Sequence, residues 1–444
     1  MNTKRIKNWD GTQIWTPETV YRPQDEEQTA ALIQRAVEDQ KQIKAIGSAL
    51  SWSDIIDMPQ NAIRFDNMDK VLDVDRDKRR VRVQAGAQLK DVNEVLAEHR
   101  LAFDNFGSII LQTAAGYIAT GTHGTGAKTP ILSTSIEKIR LVDGLGQIHE
   151  LDAAHEPELF SASRVNLGCL GVVTEITFRC VEAFDLEECL ELVDFDAALT
   201  NLDTYLNTND YCKFWWLPYT DKIQVYTFNR TDKPRGGAGF TGFMDQSGLS
   251  GVFFTALIGL GRNIPRVIPF VHNTVQKIHY HPHRRVDRSD RVIKVSSSIP
   301  IHQETEYAIP IEKAAKAIDE TRKMILAADA DYKVNFPMEV RFVAADDVPM
   351  SPANGRDSCY IGAYVSSLGW AKNYFREFEA LMSDFKGRPH WGKSFSLYSE
   401  KIRELYPAYD DFNRLRRSCD PHGLFRNSFI DRVFPDTTAE KTQK

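Results

Sequence analysis

Glu339 and Arg341 stand two residues apart in the segment NFPMEVRFVA. On a strand that spacing projects both side chains from one face. A carboxylate and a guanidinium presented together can hold a hydroxyl group and stabilise alkoxide charge as it develops. An exposed cross-charge pair is the other reading of the same spacing. Lys393, in RPHWGK, offers an ammonium after a turn stiffened by Pro389. Its choices are a surface lysine or a cation that steadies an anion.

Two glycine-rich segments suggest different chemistry. The first, AIGSALSWSD, runs through Ala45, Ile46, Gly47, Ser48, Ala49, Leu50 and Ser51. The second, GYIATGTHGTGA, carries Ile118, Gly121, Thr122, His123, Gly124 and Thr125. Small residues let backbone N–H groups approach a pyrophosphate closely. Either segment alone is equally a plain turn. GRPHWGKS, from Gly387 to Ser394, matches the letters of a nucleoside-triphosphate loop. Pro389 and Trp391 occupy the space such a loop needs for wrapping a phosphate, so triphosphate binding is not expected. No GxGxxG occurs, which disfavours a dinucleotide fold of that kind. His279, His281 and His283 read as a surface turn, and no metal site is expected there or elsewhere.

The elements that must position these groups follow from periodicity. TAALIQRAVEDQ and LKDVNEVLAEHR have helical spacing behind acidic or polar starts. KQIKAIGS and AIRFDNM read as strands. KVLDVDRDKRRVRVQAG and IEKIRLVDGLGQIHELD read as hairpins, and LGCLGVVTEITFRC as a turn running into a strand. Strands joined mostly by hairpins, with helices between, argue an α+β fold over a doubly wound parallel sheet. The apolar stretch Leu249 to Gly261 is too short to cross a bilayer and is expected as a buried helix. The basic residues after it leave a peripheral membrane contact as the alternative.

The chain has 444 residues, 55 Lys+Arg and 61 Asp+Glu, a net charge of −6. Length predicts two substantial domains. The acidic balance gives no reason to expect nucleic-acid binding. Six cysteines without a CxxC pair read as reduced thiols, and Lys4, Arg5 and Lys7 precede no apolar stretch. A cytoplasmic enzyme without a secretory signal is the expectation.

In order, AIGSALSWSD, FDNFGSI, ATGTHGTG, LGCLGVVTEITF, MEVRF, RPHWGK and DPHGLFRNSF resemble the aldonolactone oxidoreductases, sugar-1,4-lactone oxidases and dehydrogenases of the vanillyl-alcohol-oxidase flavoprotein superfamily. The resemblance runs from about Asn8 to Val433. It implies an FAD-binding domain over residues 1–182, an α+β cap over 183–400, and a segment 401–444 that returns to the first domain. It further implies that Ala45 to Ser51 form the pyrophosphate loop. Gly107, Thr113, Ile118, Gly121 to Thr125, Val172 and Val173 would contact FAD. Glu339 and Arg341 would orient the substrate, and Lys393 would stabilise the reduced cofactor.

Three departures sharpen the resemblance. Many members carry GSGHS in the first loop and bond that histidine covalently to the flavin. Leu50 stands there and has no nucleophilic atom, so FAD is expected to be non-covalent. Gly107 stands where related plant dehydrogenases have Ala, and a missing methyl group there is expected to admit O2. Alditol-oxidising relatives have a His aligned with Gly362, which disfavours a linear polyol here. The expected reaction is oxidation of an aldono-1,4-lactone at C2, with hydride passing to flavin N5 and O2 giving hydrogen peroxide. A dehydrogenase using cytochrome c or a quinone, and an alditol oxidase, are the alternatives.

Overall fold

The computed structural model describes residues 5–57, 60–237, 259–261, 264–293, 300–328, 333–366 and 368–436. The expected helix at Leu249–Gly261 lies outside these residues except for its last three. No described helix is long and apolar enough to cross a membrane.

After a short antiparallel pair, Ile6–Lys7 with Ile14–Trp15, the first half continues with strand β1 (Thr19–Tyr21), helix α1 (Glu26–Glu38), strand β2 (Ile43–Ile46) and strand β3 (Asn61–Arg64). Asp25 caps α1 by accepting from the Gln28 N–H at 2.7 Å, and Ile33 and Ala36 face inward. The three strands form a parallel sheet in the order β1-β3-β2. This sheet departs from the hairpin pattern read elsewhere, because α1 returns the chain to start β2 in the same direction as β1.

Strands β4 (Val71–Asp75), β5 (Arg80–Gln84), β6 (Ile136–Val142), β7 (Ile148–Leu151) and β8 (Val172–Arg179) build an antiparallel sheet in the order β7-β6-β8-β5-β4. Val81 and Val83 are buried while Arg80 and Arg82 are exposed, the alternation of a half-covered strand. Helix α2 (Leu89–Glu98) buries Leu89, Val92 and Leu96 on the same core. A short helix, α3 (Ala114–Ala119), follows; Thr113 caps it by accepting from the Gly116 N–H at 3.3 Å.

The second half is one eight-stranded sheet. It consists of β9 (Asp185–Asp194), β10 (Tyr211–Trp216), β11 (Lys222–Thr231), β12 (His283–Arg288), β13 (Gln303–Pro310), β14 (Met338–Val343), β15 (Ser358–Val365) and the two-residue β16 (Arg388–Pro389). Its order is β12-β9-β11-β10-β14-β15-β13-β16. Helices Ala314–Ala327 and Leu368–Asp384 cover one face through Ile318, Ile325, Phe378 and Met382. The other face looks toward the first half.

The last three helices, Ser399–Leu405, Tyr409–Cys419 and Ser428–Val433, share a hydrophobic core with Val81, Ile139 and Leu170. Asn427 donates to the carbonyls of Ile55 and Asp57, at 3.0 and 2.9 Å. The halves are also joined directly, because the Gly126 N–H donates to the Phe342 carbonyl at 2.6 Å. Thr125 Oγ1 bonds the Cys212 carbonyl, and the Tyr211 hydroxyl donates to the Asp104 carbonyl at 2.8 Å.

Candidate active site

Strand β14 is buried along its whole length, so Glu339 and Arg341 stand inside the protein and not on an exposed face. Arg341 Nη2 donates to Glu306 Oε1 at 2.6 Å, and its Nε lies 3.6 Å from Glu339 Oε2. Glu339 also accepts from Trp215 Nε1 and from the Tyr364 hydroxyl, both at 2.7 Å. Burial alone would raise both carboxyl groups. The guanidinium beside them overrides it and holds Glu306 and Glu339 below the ordinary range. The pair therefore stays charged, and three partners, Glu306, Trp215 and Tyr364, fix its geometry.

His123 lies behind this pair. Its ring stacks on Tyr360 with centroids 3.7 Å apart, its Nδ1 is 2.9 Å from the Gly124 carbonyl, and its Nε2 is 3.4 Å from Glu306 Oε2. His390 completes a buried trio with His123 and Glu306 whose ligand atoms fall within 4.8 Å of one another. A divalent cation there would face the Arg341 guanidinium, which already occupies the other oxygen of Glu306. Burial pushes His390 down to about 3 and lowers His123 as well, so neutral imidazoles suit this position.

Lys393 contacts Glu304, and its ammonium lies 4.2 Å from the Trp52 ring centroid. Burial pushes the ammonium down to about 7, while the carboxylate in contact favours the charged form. The segment before it is no phosphate loop. Trp391 is fully buried with Nε1 donating to the Met350 carbonyl at 2.6 Å, and the His390 N–H donates to the Glu306 carbonyl at 2.9 Å. Its side chains fill the core and set Lys393 at the rim of a cavity.

That cavity holds about 400 Å³, and the glycine-rich turns form its opposite wall. A Cβ on Gly47 would come within 2.3 Å of Thr113 Oγ1, and one on Gly116 within 2.9 Å of the same atom. Ser48 Oγ donates to the Leu111 carbonyl at 2.6 Å. The N–H groups of Ser48, Ala49, Leu50 and Ser51 meet no acceptor among the described residues. Ala49 holds φ at 55°, a left-handed conformation that glycine adopts more easily. A run of unpaired N–H groups in a turn with a left-handed residue is an anion cradle. The buried Gln112 Oε1 in the same wall is also without a partner.

A family profile described as "D-arabinono-1,4-lactone oxidase" matches residues 176–433, and one described as "FAD binding domain" matches residues 17–152. The L-gulonolactone oxidase of Bos taurus is 30% identical over 436 residues, covering 97% of this chain and 98% of that one. The L-gulono-1,4-lactone dehydrogenase of Mycobacterium tuberculosis is 33% identical over 427 residues, covering 96% and 98%. The chain belongs to the D-arabinono-1,4-lactone oxidase family. Cholesterol oxidase from B. sterolicum shares the fold, with a TM-score of 0.83 at 16% identity over 97% of this chain and 96% of that one.

The family's cofactor is FAD, and the residues present fit it: a cradle of free N–H groups for the pyrophosphate and a cavity continuing to the Glu339–Arg341 pair. Of the residues singled out in the sequence, Ala45, Gly47, Ser48, Ala49, Leu50, Ser51, Gly107, Thr113, Thr122, His123, Glu339, Arg341 and Lys393 line this one cavity. Ile46, Ile118, Gly121, Gly124, Thr125, Val172 and Val173 do not. Val172 packs with Ile33 and Val142, and Thr125 is spent on bonding the Cys212 carbonyl.

One expectation is corrected. His283 is no surface turn residue: it opens β12, its Nε2 lies 3.1 Å from Glu188 Oε1, and it lines the cavity. Glu188 was invisible as its neighbour because the register of β9 against β12, 95 residues apart, makes the contact. Glu304 and Glu306 were missed for the same reason, although their alternation on one strand with Tyr307 was available as a signal.

Proposed function

We propose that this protein oxidises an aldono-1,4-lactone at C2, with O2 as the electron acceptor and FAD held without a covalent bond. The observation that carries the reading is that one cavity joins the N–H cradle of Ser48–Ser51 to a buried, doubly compensated Arg341. Bound FAD supplies hydride acceptance at N5. Arg341 donates to the reacting oxygen and stabilises its alkoxide character. Glu339, kept ionised, accepts the hydroxyl hydrogen and fixes the orientation of the carbon. Lys393 holds positive charge on the cofactor side of the cavity, where reduction builds negative charge.

Gly362 supports a lactone over a linear polyol. A Cβ there would come within 2.8 Å of the Tyr364 ring, and the Tyr364 hydroxyl is the one that donates to Glu339. A histidine at that position and this tyrosine arrangement exclude one another. O2 as acceptor is supported by the oxidase relatives, and Gly107 bears on it because it lines the cavity, where an added methyl group would press on the His123 carbonyl and Thr122. The second reading, a dehydrogenase with a protein or quinone acceptor, is favoured by the name of the mycobacterial relative. All six cysteines are free and five are buried, which agrees with a cytoplasmic setting.

The test is to mix the purified holoprotein anaerobically with a panel of aldono-1,4-lactones and follow flavin bleaching, then admit O2 and measure peroxide. Bleaching followed by stoichiometric peroxide is expected. A flavin that no lactone bleaches would sink the proposal, and bleaching without rapid reoxidation would move it to the dehydrogenase reading. Acid precipitation should leave the yellow colour in the supernatant, because Leu50 offers no atom for a covalent link.

A further inference from the structure

The cap sheet places a second cation beside the first. Lys213 on β10 is the direct register partner of Arg341 on β14, and Tyr226 on β11 is its partner on the other side. Directly opposed residues of an antiparallel pair share a face, and like charges so placed destabilise the pair. Arg341 is compensated by Glu306 and Glu339. Lys213 has no comparable partner. It is 8% exposed, and its ammonium lies 5.1 Å from the Trp215 ring, 5.0 Å from Tyr226 and 5.9 Å from Phe228.

Among the described residues no acceptor hydrogen-bonds this ammonium and no carboxylate reaches it within ion-pair distance. The rings attract a cation but accept none of its three hydrogens as an oxygen would. An apolar side chain of the same length would fill the space between three rings without the cost of burying a charge. Burial pushes the Lys213 ammonium down, with Glu339 and Glu188 pulling it back toward its charged form. Its side chain, Trp215, Tyr226 and Arg341 all line the cavity. An aromatic wall for the C–H face of a sugar ring, with an unused donor beside it, is a carbohydrate-binding arrangement.

We propose that Lys213 is a second substrate-binding cation, donating to a carbonyl or hydroxyl oxygen of the lactone next to the oxygen held by Arg341. This rests on the lactone-oxidising reading and assigns the recognition of the substrate's other oxygens to the cap. A methionine at 213 keeps the length and the ring contacts but removes the donor. A charged hydrogen bond lost from a buried site weakens binding by about 10- to 100-fold.

The experiment uses holoenzyme and a 2-deoxy-aldono-1,4-lactone, which lacks the reacting hydroxyl, with binding read from the perturbed flavin spectrum. Lys213→Met should raise Kd by 10-fold or more, while the ligand-free melting temperature stays level or rises as the facing cations are separated. Lys213→Arg should recover most of the affinity. A 1,4-anhydroalditol, which lacks the carbonyl, separates the two oxygen types: equal weakening assigns a hydroxyl, and an effect confined to the lactone assigns the carbonyl. A Kd within twofold of wild type would overturn the proposal. So would a large fall in melting temperature in both variants, which would make Lys213 a structural residue. A wild-type flavin that no lactone bleaches defeats the parent reading instead, so the two failures are distinguishable.

Discussion

Arg341 Nη2 lies 2.6 Å from Glu306 Oε1, a contact that reaches from β14 to β13 across the intervening strand β15. It fixes the guanidinium from behind and leaves its Nε edge toward Glu339 and the cavity. Glu306 is 1% exposed, and among the described residues Arg341 is the cation that compensates its charge, with His123 Nε2 3.4 Å from its other oxygen. Removing one member of such a pair leaves the other buried and underpaired. Glu306→Gln is expected to destabilise the protein by about 3 kcal/mol and to lower kcat/KM for lactone by tenfold or more. Thermal melting and anaerobic flavin reduction check both parts; wild-type values in both would remove Glu306 from the site's support.

Ala49 carries a left-handed backbone in the first glycine-rich turn, with φ at 55°. An alanine there costs roughly 1–2 kcal/mol relative to its preferred conformations, offset by about 0.4–1 kcal/mol through the freedom that glycine adds to the unfolded chain. Ala49→Gly should therefore raise holoprotein stability slightly, by up to about 1 kcal/mol. Denaturant melts with FAD in excess would measure it, and a clear loss of stability would contradict the strain argument.

Gly107 has little space to spare. A Cβ would meet the His123 carbonyl at 3.1 Å and Thr122 Cγ2 at 3.2 Å, and the Gly107 N–H donates to the Tyr117 hydroxyl at 2.6 Å. Gly107→Ala should slow reoxidation by O2 at least tenfold more than it slows reduction by lactone. Stopped-flow measurement of the two half-reactions separates these effects. Equal slowing would mean that the methyl group disturbs the loop and gates nothing.

His149 links the turn of the β6–β7 hairpin to two carboxylates, Asp143 at 3.2 Å and Glu156 at 2.9 Å. The hydrogen bond to Asp143, helped by Glu156, raises it to about 9. Its folded value lies above the ordinary 6.5, so its stabilisation is complete below pH 6.5 and is lost as pH rises through 9. His149→Gln should lose on the order of 1 kcal/mol of stability at pH 6 and almost nothing at pH 10. Urea melts at the two values decide it, and a pH-independent difference would refute the linkage.

The local elements were legible because their signals are local. Asp25 ahead of an amphipathic run marked α1, and the Val81–Val83 alternation marked β5. The two-residue spacing of Glu339 and Arg341 gave their shared face correctly, yet it also allowed an exposed pair. What buries that face is the first half of the chain, whose Gly107, Thr122 and His123 line the same cavity. Glu304, Glu306, Lys213 and His283 were illegible as site residues because strand register brings them in from distant segments. A periodicity reports which side a residue faces, and never which strand lies beside it.

The second glycine-rich turn is stitched to the cap at Gly126–Phe342 and Thr125–Cys212. Those two bonds tie the middle of the cap sheet, at β14 and β10, to the turn that walls the cavity. Swinging the sheet off this turn as a rigid body would mean breaking both bonds at once.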